Sequence, residues 1–149
     1  CFRCWVKLDL AIHDVDLVRF ITGQNISIWA TTKSSNVRYL EDTASFFFDL
    51  SGGSTGMVFN SWMAPFRERT IKLMTSEAYY DIDMLRQQAA KYTSLDNNSY
   101  AAKSLFVNRT NALEEQTKAF IKYVKTDKMG DLCSIADGME ALKYVEEKV

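Results

Sequence analysis

Between Leu10 and Thr22 apolar residues fall at Leu10, Val15, Leu17, Val18 and Ile21, and the segment ends on Gly23. That recurrence predicts a helix with Gly23 as a left-handed C-cap and Asp9 as its N-cap. Downstream the period shortens. Ile26 to Thr32, Ala44 to Leu50, Gly56 to Met63, Arg69 to Thr75, Tyr79 to Leu85 and Ala89 to Thr93 are short runs rich in β-branched and aromatic residues. Such runs predict strands. Ser51-Gly52-Gly53-Ser54 and Ala64-Pro65-Phe66-Arg67 stand between runs at hairpin spacing.

Ser94 to Ser104 reads as a loop, and two helices close the chain. Asn111, with Glu114 three residues on, opens one that carries Leu113, Thr117, Phe120 and Val124 on a stripe. Ser134 to Asp137 opens the other, with Met139, Leu142 and Val145. The elements together predict an α+β fold: one open, predominantly antiparallel or mixed sheet of about six strands, with helices on one face. Alternation along Met57 to Met63 puts Met57, Phe59, Ser61 and Met63 on one side and Val58, Asn60 and Trp62 on the other. Both faces therefore carry large apolar groups. The face left without helices is expected to be an oligomer interface or the seat of a further domain.

A length of 149 residues predicts a single domain spanning the whole chain. With 47% hydrophobic and 25% charged residues, six Gly and one Pro, the chain reads as an ordered globular domain without repeats. A net charge of -1 gives no basic field to gather phosphates, which argues against nucleic-acid binding. The longest apolar stretches, such as Ser45 to Leu50, are too short to span a bilayer, and no signal-peptide pattern opens the chain. A cytoplasmic protein without a membrane partner is expected.

Three cysteines add little. Cys1 and Cys4 form a CxxC, and Cys133 and His13 could complete a four-ligand zinc set, but the spacing favours three reduced, packed thiols and no metal. Asn25, Asn97 and Asn108 match the glycosylation pattern, which has no weight without a secretory signal. Asp81 and Asp83 share one side of a strand and read as solvated edge charges. Trp29 and Trp62 read as sheet packing, with sugar stacking as the alternative.

The candidate chemistry lies in the first helix. At about 100° per residue Asp9, His13 and Asp16 fall within about 60° of one another, one turn apart. The rest of the helix is apolar nearly all round apart from Asp14 and Arg19, so the stripe is expected to line a pocket or an interface. His13 is the chain's one histidine. Neighbouring carboxylates favour its charged form and fix its tautomer, which suits an acid/base. Spacing alone leaves three readings open: that acid/base, a capped helix whose histidine merely satisfies Asp16 or a backbone group, or an i, i+4 Asp-His pair on a metal that would still need a third ligand.

The segment "DLAIHDVDLVRFITG" resembles the D-x-x-x-H-x-x-D helix of the C-terminal domain of the glucose-fructose oxidoreductase, inositol dehydrogenase and rhizopine-catabolism (Gfo/Idh/MocA) family. "GMVFNSWMAPFRERTIKL" is similar to that family's strand-turn-strand pattern at Gly56, Ser61, Trp62, Pro65 and Arg69. "EEQTKAFIKYVKTDK" and "DGMEALKYVEE" resemble its closing helices. The resemblance covers nearly the whole chain and implies half of a nicotinamide-dependent oxidoreductase acting on a sugar, a polyol or a relative.

By that resemblance His13 would be the general acid/base on the reacting hydroxyl, and Asp9 would orient it or hold a substrate hydroxyl. Asp16 and Lys7 are carried as candidate substrate contacts. The open sheet face would build a homo-oligomer. No G-x-G-x-x-G follows a strand and no βαβ unit is evident, so NAD or NADP would be bound mainly by an N-terminal Rossmann domain outside this sequence. The family's catalytic lysine, in a Glu-Lys-Pro segment of that domain, is also missing. The chain is thus expected to be a piece of a longer oxidoreductase and inactive alone. The alternative is a non-catalytic binding or oligomerisation scaffold module that keeps the same fold.

Overall fold

The computed structural model describes residues 5–35, 41–95 and 98–146. Cys1, Cys4 and Asn97 lie outside the described residues. The chain divides into two compact units, Cys1–Ala64 with Cys133–Val149, and Pro65–Leu132.

The first unit begins with a π-helical turn, Lys7–Ala11, that runs straight into α1, Ile12–Thr22. The backbone N–H of Ile12 donates to the carbonyl of Lys7, five residues back. This widening has a packing cause. In a regular α-helix, residues five apart point about 140° away from each other, yet Val6 and Ala11 are both fully buried and Val15 nearly so. The wider turn puts all three on the core. Asp9 is therefore not the N-cap of α1: Ala11 precedes that helix in helical conformation, with no side-chain cap. Gly23 ends the helix as predicted, at φ 64°, with its N–H on the Arg19 carbonyl at 2.8 Å.

Three strands follow, β1 (Ile26–Ser34), β2 (Thr43–Leu50) and β3 (Thr55–Ser61), paired antiparallel in the order β1-β2-β3. The predicted hairpin joins β2 to β3, with Leu50 N–H donating to Ser54 O at 2.7 Å and Gly53 at φ 85°. Phe46 and Phe48 point into the core with Ile26, Ala44 and Val58, against Val15 of α1 and Val145 of α3, Ile135–Glu146. Phe48 lies opposite Gly56 in the β2/β3 register. A Cβ on Gly56 would run into the Phe48 ring, so the ring takes the space that a side chain would need. The opposite face carries Trp29, Met57 and Phe59, about 60% exposed, and the Trp29 and Phe47 rings lie 5.6 Å apart.

The second unit holds β4 (Thr70–Met74), β5 (Tyr79–Asp83), β6 (Gln88–Ser94) and β7 (Tyr100–Leu105), antiparallel in chain order, and then α2, Ala112–Thr126. Tyr79, Tyr92 and Tyr100 line up across β5, β6 and β7 with ring spacings of 5.9 and 5.8 Å. Asn111 caps α2, its Oδ1 accepting from Leu113 N at 3.1 Å and from Glu114 N at 3.4 Å.

The α+β class and the antiparallel pairing are as expected, but the described residues form sheets of three and four strands where a single sheet of about six is expected. The predicted Ala64 to Arg67 hairpin is where the two differ. The ladder makes a last bond from Trp62 N to Asp42 O at 2.9 Å; Pro65 beyond it has no N–H to give. The seventh strand, β7, lies in the predicted loop. Its sequence, YAAKSL, has little to bury and only Leu105 is partly covered, so backbone pairing with β6 makes it a strand. Two further expectations fail: α2 buries none of its residues, and α1 leaves Phe20 and Ile21 exposed.

Candidate functional site

The residues singled out by sequence fall around the junction of the π-helical turn and α1. Asp9 lies in the middle of the turn, and His13 is the second residue of α1. Both are exposed. The Asp9 carboxylate is held from across the first unit: Trp62 Nε1 donates to Asp9 Oδ2 at 3.2 Å. That bond uses one carboxylate oxygen and leaves Oδ1 for another partner. Among the described residues no hydrogen bond joins His13 to Asp9 or to Asp16.

Beside His13 the chain turns inward. Asp14 accepts from Asn60 Nδ2 at 2.7 Å, and Asn60 is 7% exposed, on the same face of β3 as Val58. This pair ties the helix bearing His13 to the sheet. Asp16 goes elsewhere: its Oδ1 lies 3.6 Å from Arg19 Nη1, and the same guanidinium reaches Asp137 O at 3.4 Å and lies over the Tyr144 ring. Asp16 thus belongs to the packing of α1 on α3. Cys133 borders it, and burial first and the Asp16 charge second push its thiol above the usual range.

Lys7 Nζ stands 3.6 Å from Glu41 Oε2, and Lys33 Nζ takes Glu41 Oε1 at 3.0 Å. Glu41 and Asp42 are both buried, and Glu41 accepts the Val6 N–H on its carbonyl at 3.2 Å. Sequence reasoning missed Trp62, Asn60, Glu41 and Asp42 as neighbours of this turn. The signal available was the alternation that put Asn60 and Trp62 on the same side as Val58.

Among the described residues no group of three or more His, Cys, Asp or Glu side chains is placed to hold a metal ion. Asp83 instead accepts from Arg86, at 2.8 Å from the backbone N–H and 3.0 Å from the guanidinium. These bonds, the backbone one first, hold its carboxyl below the ordinary range. What the turn offers chemically is an exposed imidazole four residues on from an exposed carboxylate that accepts a hydrogen bond from Trp62.

Residues 6–81, from the π-helical turn through most of β5, match the GFO/IDH/MocA C-terminal domain. The chain belongs to the Gfo/Idh/MocA family. No curated relative matches the sequence. Among solved structures, this Gfo/Idh/MocA domain is similar to UDP-N-acetylglucosamine 3-dehydrogenase from Acidithiobacillus ferrooxidans, with a TM-score of 0.82 and 19% identity over 94% of this chain and 45% of that one. An oxidoreductase domain protein from Kribbella flavida gives 0.77 and 17%, over 94% and 46%. The aldose-aldose oxidoreductase from Caulobacter crescentus, complexed with glycerol, gives 0.75 and 16%, over 95% and 43%. The likeness establishes a shared fold, and the chain spans less than half the length of each of these oxidoreductases. No helix among the described residues is long and apolar enough to cross a membrane.

Proposed function

We propose that this Gfo/Idh/MocA domain is the substrate-binding and proton-transferring half of an NAD(P)-dependent oxidoreductase acting on a sugar, polyol or related hydroxy compound. The observation that carries the reading is that Asp9, four residues before the exposed His13, is itself exposed and accepts a hydrogen bond from Trp62 Nε1. In this reading His13 takes the proton of the reacting hydroxyl as the carbinol is oxidised and returns it in reduction. Imidazole is the general acid/base that side chains most often supply. Asp9 Oδ1 orients the imidazole or holds a second substrate hydroxyl. Lys7 and Asp16 stay as proposed substrate contacts, although Lys7 faces Glu41 and Asp16 faces Arg19.

The described residues do not fit the dinucleotide. Every strand pairing among them is antiparallel, whereas a dinucleotide crevice forms at the carboxyl ends of parallel strands with a helix N-terminus on the pyrophosphate. NAD or NADP therefore belongs to a partner Rossmann domain, and the chain alone is inactive. Cytoplasmic residence is part of the same proposal. Replacing His13 by Ala in the full-length protein should lower turnover about 100-fold. Near-normal turnover would remove the acid/base role.

A second reading, an oligomerisation scaffold, draws on the exposed large apolar side chains Trp29, Met57 and Phe59. It predicts self-association that His13→Ala leaves intact, with no change in any turnover. Sedimentation and kinetics on one preparation separate the two.

A further inference from the structure

We infer that Trp62 is a positioning residue whose indole N–H sets the orientation of the Asp9 carboxylate, an inference that rests on the proposed role of Asp9 beside His13. A carboxylate on an exposed turn has several accessible rotamers, and ordering one costs side-chain entropy. The bond from Trp62 to Asp9 Oδ2 selects among them. Indole Nε1 can only donate, and the ring around it is apolar, so it suits a carboxylate acceptor beside a packed core.

The direction of that N–H is itself fixed. Trp62 packs against the buried cluster of the first unit, and its backbone N–H donates to Asp42 O at 2.9 Å. On one side of it, Ser61 Oγ lies 2.8 Å from Thr43 Oγ1; on the other, Met63 N donates to the same Ser61 Oγ at 3.1 Å. The segment is tied through three consecutive residues just where β3 ends. The π-helical turn opposite is tied by the burial of Val6 and Ala11. Two anchored segments thus meet at one hydrogen bond, and the oxygen left over, Asp9 Oδ1, has its place set by both.

The test has two readouts. In the 149-residue chain, exchange of the Trp62 indole proton with water, followed by NMR, should speed up about tenfold or more in Asp9→Ala, since a charge-assisted bond is lost. Unchanged exchange would overturn the inference. In the full-length protein, with UDP-N-acetylglucosamine, glucose and inositol as hydroxy probes, Trp62→Phe keeps the ring and deletes the donor. It should lower kcat about tenfold with KM within twofold. In an Asp9→Asn background the same change should have no further effect, because Trp62 acts through Asp9. Losses that multiply in the double variant would overturn the inference. Should the exchange arm succeed while Asp9→Asn leaves kcat unchanged, the proposed function of Asp9 falls and the positioning by Trp62 stands.

Discussion

Asn60 Nδ2 donates to Asp14 Oδ2 at 2.7 Å, which fastens β3 to α1 at the residue next to His13. The bond lies at the edge of the core, where Asn60 is buried and its Oδ1 has no hydrogen-bond partner among the described residues. Removing Asp14 leaves the Asn60 amide in the core without its charged acceptor. Asp14→Ala should destabilise the protein by about 1–3 kcal/mol, read as a lower urea midpoint at an unchanged slope. An unaltered midpoint would show that the pair contributes nothing to folding.

Gly56 and Phe48 share one place in the β2/β3 ladder. Gly56→Ala should cost about 1–3 kcal/mol through overpacking against the ring. The cost should shrink when Phe48 is also replaced by Leu, because the two changes act on the same space and are not additive. Thermal denaturation of the two single variants and the double one measures the coupling.

Ser134 and Asp137 cap the start of α3 reciprocally. Asp137 Oδ2 accepts from the Ser134 hydroxyl at 2.6 Å and its N–H at 3.0 Å, while Asp137 N donates to Ser134 Oγ at 3.1 Å. The Ser134 hydroxyl is the main reason that the Asp137 carboxyl is held below the ordinary 3.8. A depressed folded-state value adds stability that is fully present above that ordinary value and lost as pH falls through the folded one. Acid titration followed by circular dichroism should therefore show helix loss below about pH 3.8 that Ser134→Ala makes shallower. Parallel curves for the two proteins would exclude the cap as a source of this pH dependence.

The local signals of this fold are strong in the sequence, and the failures share one cause. Gly23, Asn111 and the Ser51 to Ser54 turn act through a few adjacent residues, so each was readable and each stands where expected. Asp9 was misplaced as a cap because the requirement that Val6 and Ala11 both be buried comes from the sheet beneath them. β7 was misread as loop because its pairing to β6 is a backbone property that Ala and Lys side chains do not advertise. Around the candidate site, the sequence singled out Asp9 and His13 but not the bonds to Asp9 and Asp14. Trp62 is 53 positions from Asp9 and Asn60 46 from Asp14, and no periodicity spans such distances. Asp16, one turn beyond His13 on an ideal helix, was grouped with them by spacing, and its pairing with Arg19 gives it a separate place.

The wide turn at Lys7–Ala11 has a consequence for how this segment tolerates change in length. Because it contains one residue more than an α-helical path would use, deleting a residue there can restore regular α-helix without breaking the chain's hydrogen bonding. The deletion would leave Val6 and Ala11 four residues apart, a separation at which regular α-helix still puts both on one face. Both would then stay on the core. The surplus residue is thus a phase adjuster: it keeps Val6 and Ala11, five apart in sequence, on one buried face that a regular helical period would split.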